Sequence, residues 1–273
     1  MTARIRIALI VLCLVTGLAL LGPLLSPWDQ VALDWDHTAV APQWAASHWL
    51  GTDRMGRDLF ARGMQALRIS LALGVLATMI SVCIGVTWGA VAGYVGGRVD
   101  ALMMRFVDIV YALPYVFIVI ILSTLFPRGS LAGLFIAIGA VGWLTMARIV
   151  RGQTLSLRRR EFVTAAVACG VGTPAILWRH IVPNVLPPVI VLFTTRVGTV
   201  ILAESGLSFL GLGVPPPAPT WGGLLSGSGR TYMLQGPWLA LAPGLCLTVV
   251  VYATNMFGDA LRDLLDPRMR GSR

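Results

Sequence analysis

Three histidines (His37, His48 and His180), four cysteines and twelve acidic residues are the groups with which this 273-residue chain could do bond-making chemistry. Acid–base or nucleophilic catalysis needs two or three such groups converging on one point. The spacing of the histidines suggests no Ser/His/Asp arrangement and no paired carboxylates. Cys13, Cys83, Cys169 and Cys246 stand far apart with no C-x-x-C pair, so neither a disulfide framework nor a zinc site is expected, and they read as small buried hydrophobes. All 21 basic residues are arginine, which removes the phosphate-binding lysine of a nucleotide loop. The glycine-rich run from Gly222 to Gly229 reads as turns. The sequence therefore predicts no catalytic residue, no metal site and no cofactor-binding site in this chain.

What chemistry remains lies in charges placed among apolar residues, where each costs roughly 2.5 kcal/mol or more at a bilayer centre. Arg196 stands beside Thr194, Thr195 and Thr199. It is expected either to line a pathway and attract an anionic group such as a carboxylate, or to pair with an acid on a partner. Asp108 follows Arg105 by three residues, the spacing of a local helix pair. Glu204 reads as a residue at a pathway mouth or as the first-turn acid of a new helix, with the structural role favoured.

The elements that must carry these residues follow from composition. With 56% hydrophobic and 12% charged residues and a mean hydropathy of +0.80, the chain has about half the charge of a soluble domain. A soluble enzyme is excluded, and an all-α integral membrane protein is expected. Apolar runs long enough to span cover residues 7–27, 69–97, 109–127, 129–147, 181–203 and 231–258, giving six helices. Pro114 is expected to kink the third and Pro243 the sixth. The first run, despite Arg4 and Arg6 ahead of it, reads as an uncleaved helix because its small-residue site at Ala39-Val40-Ala41 lies too far beyond.

Fourteen of the 21 arginines fall on the segments that share a side with the N-terminus, so both termini are expected in the cytoplasm. The net charge of +9 then describes topology and not a nucleic-acid partner. Three loops are longer than a hairpin requires. Residues 28–67 lie outside, with Trp28, Trp35, Trp44 and Trp49 suited to the interface. Residues 204–235, with the stiff run Pro215-Pro216-Pro217-Ala218-Pro219, are also outside.

The inner loop, residues 148–180, carries the clearest architecture. After Arg158–Arg160, residues 161–169 have high helix propensity and small side chains. Gly170 and Gly172 end that helix, Thr173 and Pro174 form a cap and first turn, and a second short helix runs to about His180 before Pro183 restarts the chain. The result is an elbow displaying Trp178 and Arg179. Anionic lipid would account for its arginines; a docked soluble partner accounts for the arginines and the bend together.

Thr164-Ala165-Ala166, three residues, Gly170, and Pro183 at the matching distance resemble the EAA loop of ABC importer permeases. Thr164, His180 and Val182 depart from that motif's Glu, Ile and Leu, and Glu161 stands one turn earlier as a substitute acid. Leu50-Gly51-Thr52-Asp53-Arg54-Met55-Gly56-Arg57-Asp58, Leu207-Ser208-Phe209-Leu210-Gly211-Leu212-Gly213 with Trp221-Gly222, and Gly258-Asp259-Ala260-Leu261-Arg262-Asp263-Leu264-Leu265-Asp266-Pro267-Arg268 resemble segments of the dipeptide/oligopeptide/nickel branch. The whole is similar to the shorter, C-type subunit of a permease pair.

That resemblance implies a type I importer permease fold in the bacterial inner membrane. Residues 1–68 would form an N-terminal helix and extracytoplasmic loop, and residues 69–273 a five-helix core with the EAA-like loop at 158–183. It implies a homologous second permease, two ATPase subunits that bind the ATP and Mg, and an extracytoplasmic solute-binding protein. Glu161, Thr164, Ala165, Ala166, Gly170, Trp178, Arg179 and Pro183 would couple to an ATPase. Arg196, Thr199 and Glu204 would line the pathway, and Ser208, Phe209 and Leu210 would form an outer gate. Peptides or similar solutes, a nickel chelate among them, are the implied cargo. An ion-gradient-driven secondary transporter or channel is the alternative; it fits poorly because only Arg196 is charged near a span centre and no inverted repeat is visible.

Overall fold

In a hydrocarbon environment each backbone N–H and C=O must find its partner within the chain, and apolar runs of this length satisfy that as helices. The computed structural model describes residues 3–43, 48–127, 130–226 and 236–265, and every regular element among them is helical. Trp44, Arg128, Gly227, Gly229, Arg230, the first residues of the run 231–258, Asp266-Pro267-Arg268, Arg270 and Arg273 lie outside the described residues.

The helices are α1 (Ala3–Leu25), α2 (Leu59–Val95), α3 (Gly97–Tyr111), α4 (Tyr115–Thr124), α5 (Leu131–Leu157), α6 (Glu161–Ala168), α7 (Thr173–Ile176), α8 (Val182–Phe209), α9 (Trp221–Leu224) and α10 (Trp238–Leu265). A π-helical turn, Leu177–Ile181, joins α7 to α8. Five stretches are long and apolar enough to cross a membrane: Arg6–Leu25, Leu59–Val95, Leu131–Leu157, Thr173–Phe209 and Trp238–Leu264.

The third apolar run is not one kinked helix. It is broken between α3 and α4, whose axes differ by 92°. Pro114 starts α4 as its N-cap, with extended φ −61° and ψ 123°, and the residue before a proline is disfavoured in α conformation. The chain therefore turns at residues 112–114 where a bend was expected. Pro243, by contrast, sits inside α10.

α2 and α5 form the central pair. Gly85, Gly89 and Gly93 recur every four residues along α2 and let the backbones approach closely, the small-residue packing that associates helices when lipid is as apolar as leucine. A Cβ on Gly85 would lie 2.6 Å from Met146 Cβ, and one on Gly89 would lie 2.5 Å from the Ala147 carbonyl oxygen. Around this pair α8 packs on α2 and α10, and α1 on α2 and α10.

Two further expectations change. Cys13, Cys83 and Cys169 are exposed, with only Cys246 partly covered; apolar helices of this kind turn small hydrophobes outward as readily as inward. Asp108 pairs not with Arg105 but with Arg148 of α5, at 2.7 Å, whose guanidinium also lies 4.3 Å from the centroid of the Tyr111 ring. An i,i+3 pair contributes only a few tenths of a kcal/mol, and α5 offers a cation already held over an aromatic face.

Candidate functional site

Three groups of residues sit where the helices can act on something else. The first is the elbow. α6 begins at Glu161 and lays Val163 and Ala166 into a cluster with Val86, Ala90, Met146 and Val150 of α2 and α5. The Val171 N–H reaches the Ala166 carbonyl (3.0 Å) and the Gly170 N–H reaches that of Val167 (2.9 Å), with Gly170 at φ +77°. This is the paired closure that ends a helix on a left-handed glycine. Gly172, not Thr173, is the N-cap of α7; Thr173 is already helical and no side chain caps the turn. Nor is the second limb separate: α7, the π turn and α8 run on as one helical stretch, Thr173–Phe209. Pro183 stands directly after the π turn, whose closing bond runs from the Val182 N–H to the Leu177 carbonyl, so the donor that the proline lacks falls where the regular hydrogen-bond ladder is already interrupted.

Glu161, Thr164, Ala165, Gly170, Trp178, Arg179 and Pro183 are exposed on this elbow, and Ala166 is buried beneath them. Phe162, Val167 and Trp178 add exposed apolar area beside them. The buried face fixes the elbow to the bundle while the other face is presented outward.

The second group surrounds Arg196. A cavity of about 420 Å³ lies where the α3–α4 break faces α5 and α8, lined by Tyr111, Tyr115, Thr145, Arg196 and Thr199 among others. Arg196 Nε is buried and makes no hydrogen bond, and no carboxylate among the described residues forms an ion pair with this guanidinium. Gly142 leaves room for it: a Cβ there would stand 2.9 Å from a terminal guanidinium nitrogen. A charge within an apolar run marked Arg196, with Thr199 beside it, but nothing local marked Tyr111, Tyr115 or Thr145, because they converge only through the break at Pro114.

The third group lies at the far end of α8. Glu204 does not start a helix, since α8 continues to Phe209. Its fully buried carboxylate accepts from Ser208 Oγ (2.6 Å) and stands 3.5 Å from Ser70 Oγ on α2. Ser208 Oγ in turn accepts from the Val214 N–H (3.3 Å). Glu204 thus ties α8 to α2 and to the returning proline segment, and it is not among the residues lining the Arg196 cavity. Ser208 is buried, whereas Phe209 and Leu210 are exposed. Gly222, expected in a turn, belongs with Trp221 to α9, capped by Thr220 Oγ1 on the Gly223 N–H (3.2 Å).

Residues 85–271 match the family described as the inner membrane component of binding-protein-dependent transport systems. The chain belongs to that family. It is 46% identical over 263 residues, 96% of this chain and 84% of the relative, to the oligopeptide transport system permease protein OppC of Haemophilus influenzae. It is 48% identical to OppC of Escherichia coli K12, over 96% of this chain and 86% of that one. It is 41% identical to the dipeptide transport system permease protein DppC of Bacillus subtilis, over 96% and 81%. The chain is thus a multi-pass inner-membrane permease of an ABC transport system and not an enzyme. Such a permease works with ATPase and solute-binding partners.

Proposed function

We propose that this permease carries peptides inward, with Arg196 as the cationic point of its pathway. Support comes from relatives named for oligopeptide and dipeptide transport across almost the whole chain. The observation that carries the pathway reading is the unpaired guanidinium facing a cavity between α3–α4, α5 and α8. A half-buried cation without an anion is costly at membrane depth; a substrate carboxylate entering the cavity would offset that cost through charge-assisted hydrogen bonds.

In this reading both termini and the elbow face the cytoplasm, and the α3–α4 pair completes a sixth span. Residues 1–68 are the N-terminal helix and outer loop, and residues 69–273 the transport core. A second, homologous permease supplies the other half of the pathway. Each permease receives one ATPase, in which ATP and Mg are held, on an elbow formed here by Glu161, Thr164, Ala165, Ala166, Gly170, Trp178, Arg179 and Pro183. Closure of the ATPases pushes the elbow and rocks the helices between inward and outward states, which requires that the closed ATPases favour one state of the permease. Ser208, Phe209 and Leu210 border the outer mouth, where the solute-binding protein delivers; Glu204 braces that border through Ser70 and Ser208.

The test is Arg196→Ala in the reconstituted importer. Uptake of peptides with a free C-terminus is expected to fall at least tenfold, as loss of about 1.4 kcal/mol or more of binding implies, while the ATPases remain attached. C-terminally amidated peptides should lose less. Unchanged kinetics for every peptide would remove Arg196 from the pathway.

A further inference from the structure

The residues that the sequence left unassembled, His37 and His48, meet in the loop between α1 and α2. Asp34 Oδ2 stands 2.9 Å from His37 Nδ1 and 3.3 Å from His48 Nε2, and these three ligand atoms lie within 4.8 Å of one another. His48 is 3% exposed and stacked on Trp28 with centroids 4.5 Å apart, while its Nδ1 lies 2.9 Å from the buried Asp58 carboxylate. Asp58 is itself held as the N-cap of α2 by the Ala61 N–H (2.7 Å).

A neutral imidazole carries one N–H. If His48 gives it to Asp58 from Nδ1, the lone pair on Nε2 faces the lone pairs of Asp34 Oδ2 at 3.3 Å, an arrangement that repels unless a cation lies between them. A carboxylate behind one ring nitrogen with a bare second nitrogen is the arrangement that orients a metal-binding histidine. Ligand atoms around a tetrahedral zinc with bonds of about 2.0–2.1 Å stand roughly 3.3 Å apart, comparable to the 2.9 and 3.3 Å that separate Asp34 Oδ2 from the two imidazoles. His37 is 55% exposed, so the fourth position opens to solvent.

We propose that Asp34, His37 and His48 bind a divalent transition-metal ion of the zinc class. The ion fastens the loop to the start of α2 through His48 and Asp58, and leaves one coordination position for water or a ligand from outside. The inference stands apart from the peptide-transport reading, since it concerns binding by this chain alone.

The full-length chain, purified with a histidine-free tag and stripped with EDTA, is titrated with Zn²⁺ alone against a chromophoric chelator, and with Co²⁺ for its visible spectrum. One saturable equivalent, an intense tetrahedral Co²⁺ band and a raised thermal unfolding midpoint are expected. His37→Ala, an exposed change that spares the fold, should weaken binding roughly tenfold or more, and Asp34→Asn likewise. His180→Ala, outside the cluster, should leave binding unchanged. Absence of saturable binding at micromolar Zn²⁺ would mean that a proton alone bridges His48 and Asp34, and overturns the proposal. Equal affinity in the wild type and His37→Ala overturns it too, by placing the ion elsewhere.

Discussion

Asp53 shows what a single carboxylate does when a loop is built around it. Its side chain is 2% exposed, and its oxygens accept from the Met55 N–H (2.8 Å), the Arg57 N–H (3.0 Å) and Arg57 Nε (2.7 Å), with Arg62 Nε at 3.8 Å. Gly51 and Gly56, at φ +80° and +72°, make the turns that wrap the backbone around it, conformations that L side chains adopt at a cost. The run from Leu50 to Asp58 is therefore a self-satisfying turn that ends by capping α2. Asp53→Ala leaves buried donors and a cation without their acceptor, which costs about 3 kcal/mol. A lower thermal midpoint and faster proteolysis within residues 26–58 should result. Asp53→Asn, which keeps one acceptor for the backbone, should fall between. Equal stability of Asp53→Ala and the wild type would show that the turn stands without its central anion.

At the scale of elements, the α2–α5 seam is held by closeness and not by hydrophobicity, because lipid would cover the same surfaces equally well. Gly89 is one of its closest points, against the Ala147 carbonyl and the Val150 side chain. Gly89→Val forces the helices apart and is expected to destabilise the protein by about 1–3 kcal/mol, read as a lower midpoint of thermal unfolding in detergent. The same change at Gly152, where a Cβ meets nothing within 4 Å, should leave stability unchanged or raise it by a few tenths of a kcal/mol, because valine is a slightly better helix former than glycine. A similar loss at both positions would deny the seam its special role. The existence of the long helices was legible in the sequence because apolar length alone decides it, as was the left-handed glycine ending α6. The break at Pro114 was legible only as a kink, since a proline announces a disruption but its angle depends on what α5 and α8 allow. The Gly85, Gly89 and Gly93 repeat was open to view and would have named the central pair. The union of Tyr111, Tyr115 and Arg196 was not, because residues so far apart along the chain come together only through that break. His37, His48 and Asp58 were hidden for the same reason: their meeting depends on how the loop turns.

Across the whole molecule, one path of packed structure joins the elbow to the cavity. α6 is anchored by Val163 and Ala166 on α2 and α5, and the second limb of the elbow is continuous with α8, which carries Arg196. A displacement at Trp178 therefore cannot leave α8 behind unless the π turn at Leu177–Ile181 yields, and π turns are places where a helix can change register. Because interiors resist compression, such a displacement passes through packed helices as rigid-body movement. Ala165 lies on the exposed side of α6, so Ala165→Trp alters what the elbow presents without entering the chain's own core. In the assembled importer this variant should reach the membrane at normal levels with an unchanged unfolding midpoint. It should nonetheless lose ATPase subunits on purification and lose ATP-driven uptake. A docked, transport-active Ala165→Trp complex would show that the lever engages its motor through another surface.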